Sequence, residues 1–423
     1  MIKYRKAQLA YCSNVHAGET LAEVKHNITH LIAQVGKQRR VDAMASGLWL
    51  SAIAASALQD DTELAGFKQC LAQANIRLTS INGFPFGDFH QTKVKAQVYL
   101  PDWADVKRLE YSKNLARVLA ACLPDECDFG AISTLPLGYK ANWNGQKQQL
   151  ADEHFRQLAV FLAELKQQTG KHIAIAIEME PDCVLESTSE LIDYFVNTLQ
   201  GFPGCKEHLQ ICYDVCHQAV MYENGYDSLS QITTAGIGIG KIQLSNALVA
   251  NFAQEHLPHG HLPQDSQALR ALLADFCEPK YLHQVKSQDS NGQLSASPDL
   301  ADALFTANPS SSRLFTTNPS SSRLSASKLF TANEWRIHFH VPVHAEFLSH
   351  PQLQTTRSAL LQVFDFLAEF KHVRPWLEVE TYSWNVLPEG LRPLDDNGLL
   401  RSIVAELDWV EQQLQQRGLL IEK

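Results

Sequence analysis

The sequence predicts an α/β protein, a single (β/α)8 TIM-barrel domain spanning 1–423. Three observations carry that prediction. Short apolar runs alternate with longer amphipathic segments, the pattern of repeated strand–helix units around a parallel sheet. Nine strand-like runs are present, and eight plus one accessory strand fit a closed barrel better than an open sheet. Run after run is apolar and then ends in polar chemistry: "NVH", "NGFPFGDFH", "ISTLP", "EMEP", "DVCH", "QLSN", "ETYSW". In such a barrel the C-terminal strand ends converge on one face, which carries the active site.

The strand-like runs are "QLAYCSNV", "LWLSAI", "IRLTSING", "FGAISTL", "HIAIAIEME", "LQICYDV", "GKIQLS", "WRIHFHV" and "WLEVET". Several are apolar at nearly every position, as strands covered on both faces should be. "WRIHFHV" is the surplus strand, expected to pair with "KYLHQV" as an accessory hairpin within a long loop. Between the runs lie helical stripes: Leu21, Val24, Ile28 and Leu31; Leu360, Phe364 and Leu367; and Leu400, Ile403, Leu407, Val410 and Leu414. One region breaks the rhythm. Residues 304–333 carry a near-perfect ten-residue tandem duplication with a partial third copy, rich in Ser, Asn and Pro. The surrounding 286–333 is expected to be a disordered low-complexity insertion.

Composition narrows the function classes. Hydrophobic residues make up 45% and charged residues 19% of 423, enough to bury a sizeable core. The formal net charge of −10 disfavours non-specific nucleic-acid or anionic-membrane binding. Nine cysteines without a C-x-x-C pair read as reduced thiols of a cytoplasmic protein. The N-terminus lacks the apolar h-region of a signal peptide. The longest apolar stretch, 47–58, falls short of the roughly 18–20 residues that span a bilayer. "GIGIGK" at 236–241 lacks phosphate-loop spacing and leads into a strand, and no G-x-S-x-G elbow is present.

The carboxylates carry the chemistry. Glu178 and Glu180 lie two apart at a strand end, so both project to one side, and Glu378 and Glu380 repeat the arrangement. Asp214 and His217 come from a third strand end. Acidic groups gathered in one mouth repel unless a cation joins them, and hard oxygen ligands suit Mg²⁺ or Mn²⁺, with Zn²⁺ when histidine takes part. A plain structural alternative is that one member of each E-x-E pair forms a salt bridge. Gln243, ending the next strand, either ligates the metal or orients another ligand. His338 and His340 alternate on one face, and His16 and His90 follow early strands. His338 and His340 can supply a metal or contact a substrate, and His16 and His90 are candidates for substrate contact.

With these residues in view, the pattern of a Glu ending one strand, D-x-x-H ending the next and a final Glu resembles the xylose-isomerase-like barrels. That superfamily includes sugar isomerases, sugar epimerases and endonuclease-IV-like enzymes. Within it, "LAYCSNVHAGET", "NGFPFGDFH…VYLPDW", "ISTLPLGYK", "YDVCHQAV", "KIQLSNAL", "WRIHFHVPV" and "LEVETYSWNVLP" resemble the EboE-type metabolite traffic proteins, in order along almost the whole chain outside the repeat. The resemblance implies a divalent metal (Mn, Mg or Zn) held by Glu178, Asp214, Gln243 and Glu380. Glu178 and Glu380 would double as acid and base, and His217 would face the substrate, with Glu180 beside it. Gln243 stands where the superfamily has a ligand histidine, so either Gln243 binds more weakly, or His338 or His340 takes that place, or the metal site is degenerate. The implied function is a sugar or polyol isomerase- or epimerase-like enzyme acting on a small polar metabolite. A non-catalytic metabolite carrier on the same barrel is the alternative, and an endonuclease-IV-like nuclease is a third, disfavoured by the acidic balance.

Overall fold

The computed structural model describes residues 4–91, 93–252, 265–305 and 333–421. Seven parallel strands come first: β1 (Ala10–Tyr11), β2 (Met44–Trp49), β3 (Ile76–Asn82), β4 (Phe129–Thr134), β5 (His172–Glu178), β6 (Leu209–Asp214) and β7 (Ile239–Leu244). The chain then leaves the barrel for a second sheet, made of β8 (Ala247–Asn251), β9 (Val285–Gln288), β10 (Leu294–Ser297), β11 (Glu334–His340) and β12 (Leu353–Thr355). It returns with β13 (Trp376–Val379), which pairs in parallel with both β1 and β7. The barrel order is β1-β13-β7-β6-β5-β4-β3-β2, and a parallel bridge between Cys12 and Gly47 brings the two ends together. The expected (β/α)8 barrel is therefore present and nearly closed.

Each wall is two-faced. In β5, Ile173, Ile175 and Ile177 join the main apolar cluster that packs strands against helices. Ala174 and Ala176 alternate with them, on the side shared with Glu178. Gly47 is required by this interior, because a side chain there would collide with the Glu378 carboxylate. The outer helices follow the anticipated stripes. Leu400, Ile403, Leu407, Val410 and Leu414 are all buried in Asp396–Gln416, as are Leu360, Phe364 and Leu367 in Arg357–Glu369. The first stripe slips. Helices Leu21–Asn27 and Ala33–Arg39 are joined by a π-helical turn, Ile28–Ile32, whose extra residue puts Ile32 in the core and leaves Leu31 half-buried.

Three expectations about elements are corrected. "LWLSAI" is the end of β2 and the start of a helix, because Ser51 caps Ala52–Ala57 by accepting from the Ala54 N–H. β11 does pair with the "KYLHQV" end, Val285 opposite Ile337, but it lies inside a five-stranded antiparallel sheet and not in a lone hairpin. Within 286–333, residues 286–305 form β9, β10 and the helix Leu300–Phe305, held by Lys286 on Asp182 (2.6 Å) and by buried Leu300 and Ala303. The repeat at 306–332 lies outside the described residues.

Candidate metal and substrate site

Strand alternation delivers the site. Glu178 closes β5 on the inward side, Asp214 closes β6, Gln243 stands opposite Asp214 on β7, and Glu380 follows β13. Oxygens of Glu178, Asp214 and Glu380 lie within 4.8 Å of one another, all three residues buried. Asp214 Oδ1 accepts from the His217 N–H (2.9 Å) and the Ser245 hydroxyl (2.7 Å), so the same side chain caps the helix Val215–Val220. Glu380 Oε1 accepts from Asn14 Nδ2 (2.8 Å) and Asn82 Nδ2 (3.2 Å). Gln243 Nε2 donates to Glu178 (3.2 Å) and Asp214 (3.3 Å), while its Oε1 accepts from the Cys212 thiol (3.0 Å). Gln243 thus bridges two carboxylates as a donor, and its oxygen is turned to Cys212.

The histidines form the second half. His217 Nδ1 donates to the Met179 carbonyl (2.8 Å) and its Nε2 lies 3.2 Å from Glu180 Oε2. His340 Nδ1 donates to the Glu380 carbonyl (2.7 Å), and His338 Nδ1 to Gln284 Oε1 (2.8 Å). Fixing Nδ1 as the donor leaves Nε2 as a lone pair in the neutral ring. Nε2 of His338 and of His340 is buried without a hydrogen-bond partner among the described residues. Glu180 accepts from the Tyr99 hydroxyl (2.8 Å), which in turn accepts from Gln284 Nε2 (2.9 Å).

Charge in this mouth is poorly balanced. Burial is the main cause that pushes the Glu178, Glu180 and Glu380 carboxyls above their ordinary range, and Asp214 adds to it in each case. Burial opposes a charged His217, yet Asp214, Glu180 and Glu178 outweigh it and raise the imidazole to about 9. Burial also lowers His340 to about 4 and drives His338 down. The nearby Lys241 is committed elsewhere: its Nζ lies 2.8 Å from Glu378 Oε2 with both side chains fully buried, and Ser80 bonds the same carboxylate. Of the second E-x-E pair, then, Glu378 is the salt-bridged member and Glu380 the one at the mouth.

These residues fit a divalent cation. Three buried carboxylates converge, Glu178 Oε2 has no hydrogen-bond partner among the described residues, and two imidazole lone pairs stand beside them. That donor set suits Mn²⁺, Mg²⁺ or Zn²⁺.

Two anticipated contacts do not reach the cavity above the carboxylates. His16 is tied by its Nε2 to the Tyr11 hydroxyl (2.9 Å) and lines a separate small pocket. His90 is bound to the Asn14 carbonyl (2.8 Å) and packs against Trp49 and Phe89, behind the lining. Glu178, Glu180, His217, His338, His340 and Glu380 all line it. Asn14, Asn82 and Tyr99 line it too, although attention falls on the histidines near them in "NVH" and "NGFPFGDFH".

No protein-family model matches the chain, and no curated protein matches it in sequence. The fold likenesses are to solved structures at low identity. One is a xylose isomerase-like TIM barrel protein from Mycobacterium smegmatis in complex with magnesium, 12% identical, TM-score 0.41, covering 66% of this chain and 90% of that one. Another is the D-allulose 3-epimerase from Methylomonas sp., 14% identical, TM-score 0.37, covering 66% and 85%. A third is a xylose isomerase domain protein from Planctomyces limnophilus, 14% identical, TM-score 0.38, covering 58% and 75%. The barrel itself is read from the strand pairing above.

Proposed function

We propose that the protein is a divalent-metal-dependent sugar or polyol isomerase- or epimerase-like enzyme, of the EboE-type metabolite traffic group that its motifs resemble. One observation carries the reading: three buried carboxylates at the C-terminal end of the barrel have mutually close oxygens, while the nearby Lys241 is paired with Glu378. Glu178, Asp214 and Glu380 would hold the metal, with Gln243 hydrogen-bonded to the first two. The metal supplies polarisation of a carbonyl–hydroxyl pair. Glu178 and Glu380 would serve as the acid and base. One would take the proton from the carbon next to the carbonyl, and the other would return a proton to that same carbon from the opposite face, the epimerase outcome. His217, charged by its three carboxylate neighbours and held by Met179, orients a substrate oxygen together with Glu180.

The test is Mn²⁺ binding by the chelator-treated protein, followed by exchange of substrate C–H for solvent deuterium across a panel of ketoses and keto-polyols. Stoichiometric Mn²⁺ and exchange that Glu178→Gln abolishes support the reading. A protein that takes up no Mn²⁺, Mg²⁺ or Zn²⁺ and exchanges nothing contradicts it.

A second reading, a non-catalytic metabolite carrier, is favoured by Gln243, which donates hydrogen bonds where an imidazole ligand would sit. Ligand binding unchanged after metal stripping would select it. The nine free thiols support a cytoplasmic setting. Among the described residues no helix is long and apolar enough to cross a membrane.

A further inference from the structure

The cavity above the carboxylates has two unlike ends. The inner end is the carboxylate–histidine cluster. The outer end is walled by Phe84, Phe89, Val98, Tyr281, Leu282 and Tyr382. The aromatic rings form one continuous surface that begins beside the inner cluster. His340 and Tyr382 have centroids 4.5 Å apart, Tyr382 and Tyr281 5.0 Å, and Tyr281 and Phe89 5.1 Å. Two of the polar groups that reach this half are already engaged, whereas the Tyr281 and Tyr382 hydroxyls on the wall have no hydrogen-bond partner among the described residues. Lys95 Nζ is held by Asp299 (2.6 Å) and the Glu278 carbonyl (3.2 Å), and the Tyr99 hydroxyl lies between Glu180 and Gln284.

A free sugar carries a hydroxyl on nearly every carbon. Seated here, its distal hydroxyls would give up water for an apolar wall, an unfavourable exchange unless each finds a partner. An aromatic or alkyl group would instead gain the burial that such a wall offers. We infer that the substrate is two-ended: a short hydroxylated or keto head that meets the carboxylates, and an apolar aromatic or alkyl tail that lies along Phe89, Tyr281 and Tyr382. This inference rests on the metal-site reading for the head and on the aromatic wall for the tail.

The test is calorimetric titration of the full chain, loaded with Mn²⁺, with glycerol, its benzyl ether 3-benzyloxypropane-1,2-diol, and D-fructose. The benzyl ether is expected to bind at least about ten-fold tighter than glycerol, the gain of burying one ring, and tighter than fructose. Phe89→Ser is expected to erase most of that gain and Phe89→Leu to keep part of it, so that a single unfolded variant does not decide the matter. Equal binding of ether and glycerol, or fructose binding tightest, overturns the inference. Mn²⁺ uptake is measured in the same preparation. Uptake without the benzyl gain sinks the tail alone, whereas absence of uptake sinks the metal reading, and the ether–glycerol ratio on the metal-free protein then decides the tail.

Discussion

Lys241 Nζ and Glu378 Oε2 meet at 2.8 Å inside the barrel, both side chains at 0% exposure. Two charges so placed hold each other in place, because neither can be left alone in a medium that solvates ions poorly. Lys241→Met is expected to destabilise the protein by about 3–5 kcal/mol in denaturant unfolding. Lys241→Met combined with Glu378→Gln should recover much of that loss. A double variant no more stable than the single would contradict the pairing.

Gly47 belongs to the same layer. A methyl group there overlaps the Glu378 carboxylate, which must then leave Lys241 or push β13 outward. Gly47→Ala is expected to cost about 1–3 kcal/mol, the usual range for overpacking. The midpoint of denaturation checks it, and an unchanged midpoint would show that the interior has slack.

Stability should depend on pH with a definite sign. His217 is held at about 9 against its ordinary 6.5, and Glu178, Glu180 and Glu380 are also raised. A raised group binds its proton more tightly in the folded chain, so its contribution is full below the unfolded pKa and is lost as pH rises through the folded one. His338 and His340 are lowered and act with the opposite sign, but only at more acidic pH, below 6.5. The metal-free protein is therefore expected to lose stability between pH 7 and 9, on the order of 2–3 kcal/mol from His217 alone. Saturating Mn²⁺ should flatten the slope by favouring ionised carboxylates. Unfolding midpoints at the two pH values, with and without metal, decide the point. A rise in stability of the metal-free protein would contradict it.

Gln243 can be tested as a positioning residue. Its amide N–H group spans Glu178 and Asp214, so Gln243→Ala should weaken Mn²⁺ binding about ten- to one hundred-fold, as loss of an orienting partner does. Gln243→His offers an imidazole nitrogen in its place and is expected to tighten Zn²⁺ more than Mg²⁺. Equal affinities across the three proteins would remove Gln243 from the site.

Much of this was legible in the residues. Strand ends that stop in carboxylates locate the mouth, because period-two alternation and the barrel geometry leave a strand-terminal Glu one place to point. The accessory character of β11 was visible for a similar reason, since "WRIHFHV" is one run too many. Other features depend on partners far away in the chain. Nothing local separates Glu378 from Glu380; Lys241 does, 137 residues away by numbering from Glu378. His16 and His90 look like contacts until Tyr11 and the Asn14 carbonyl claim them. β2 was displaced because Gly47 and Ser46 dilute its apolar signal while the apolar "LSAIAASAL" is helical after its Ser51 cap. The strand Ala247–Asn251 is five buried residues directly after β7, too short a break to read as a new element.

Mn²⁺ titration of the chelator-stripped protein, alongside Asp214→Asn, tests the central claim most directly. The site requires one tight Mn²⁺ per chain in the wild type, and a loss of at least about one hundred-fold in affinity when the shared Asp214 carboxylate is removed. Absence of Mn²⁺, Mg²⁺ and Zn²⁺ binding by a folded wild-type protein, or binding that Asp214→Asn leaves unchanged, would contradict it.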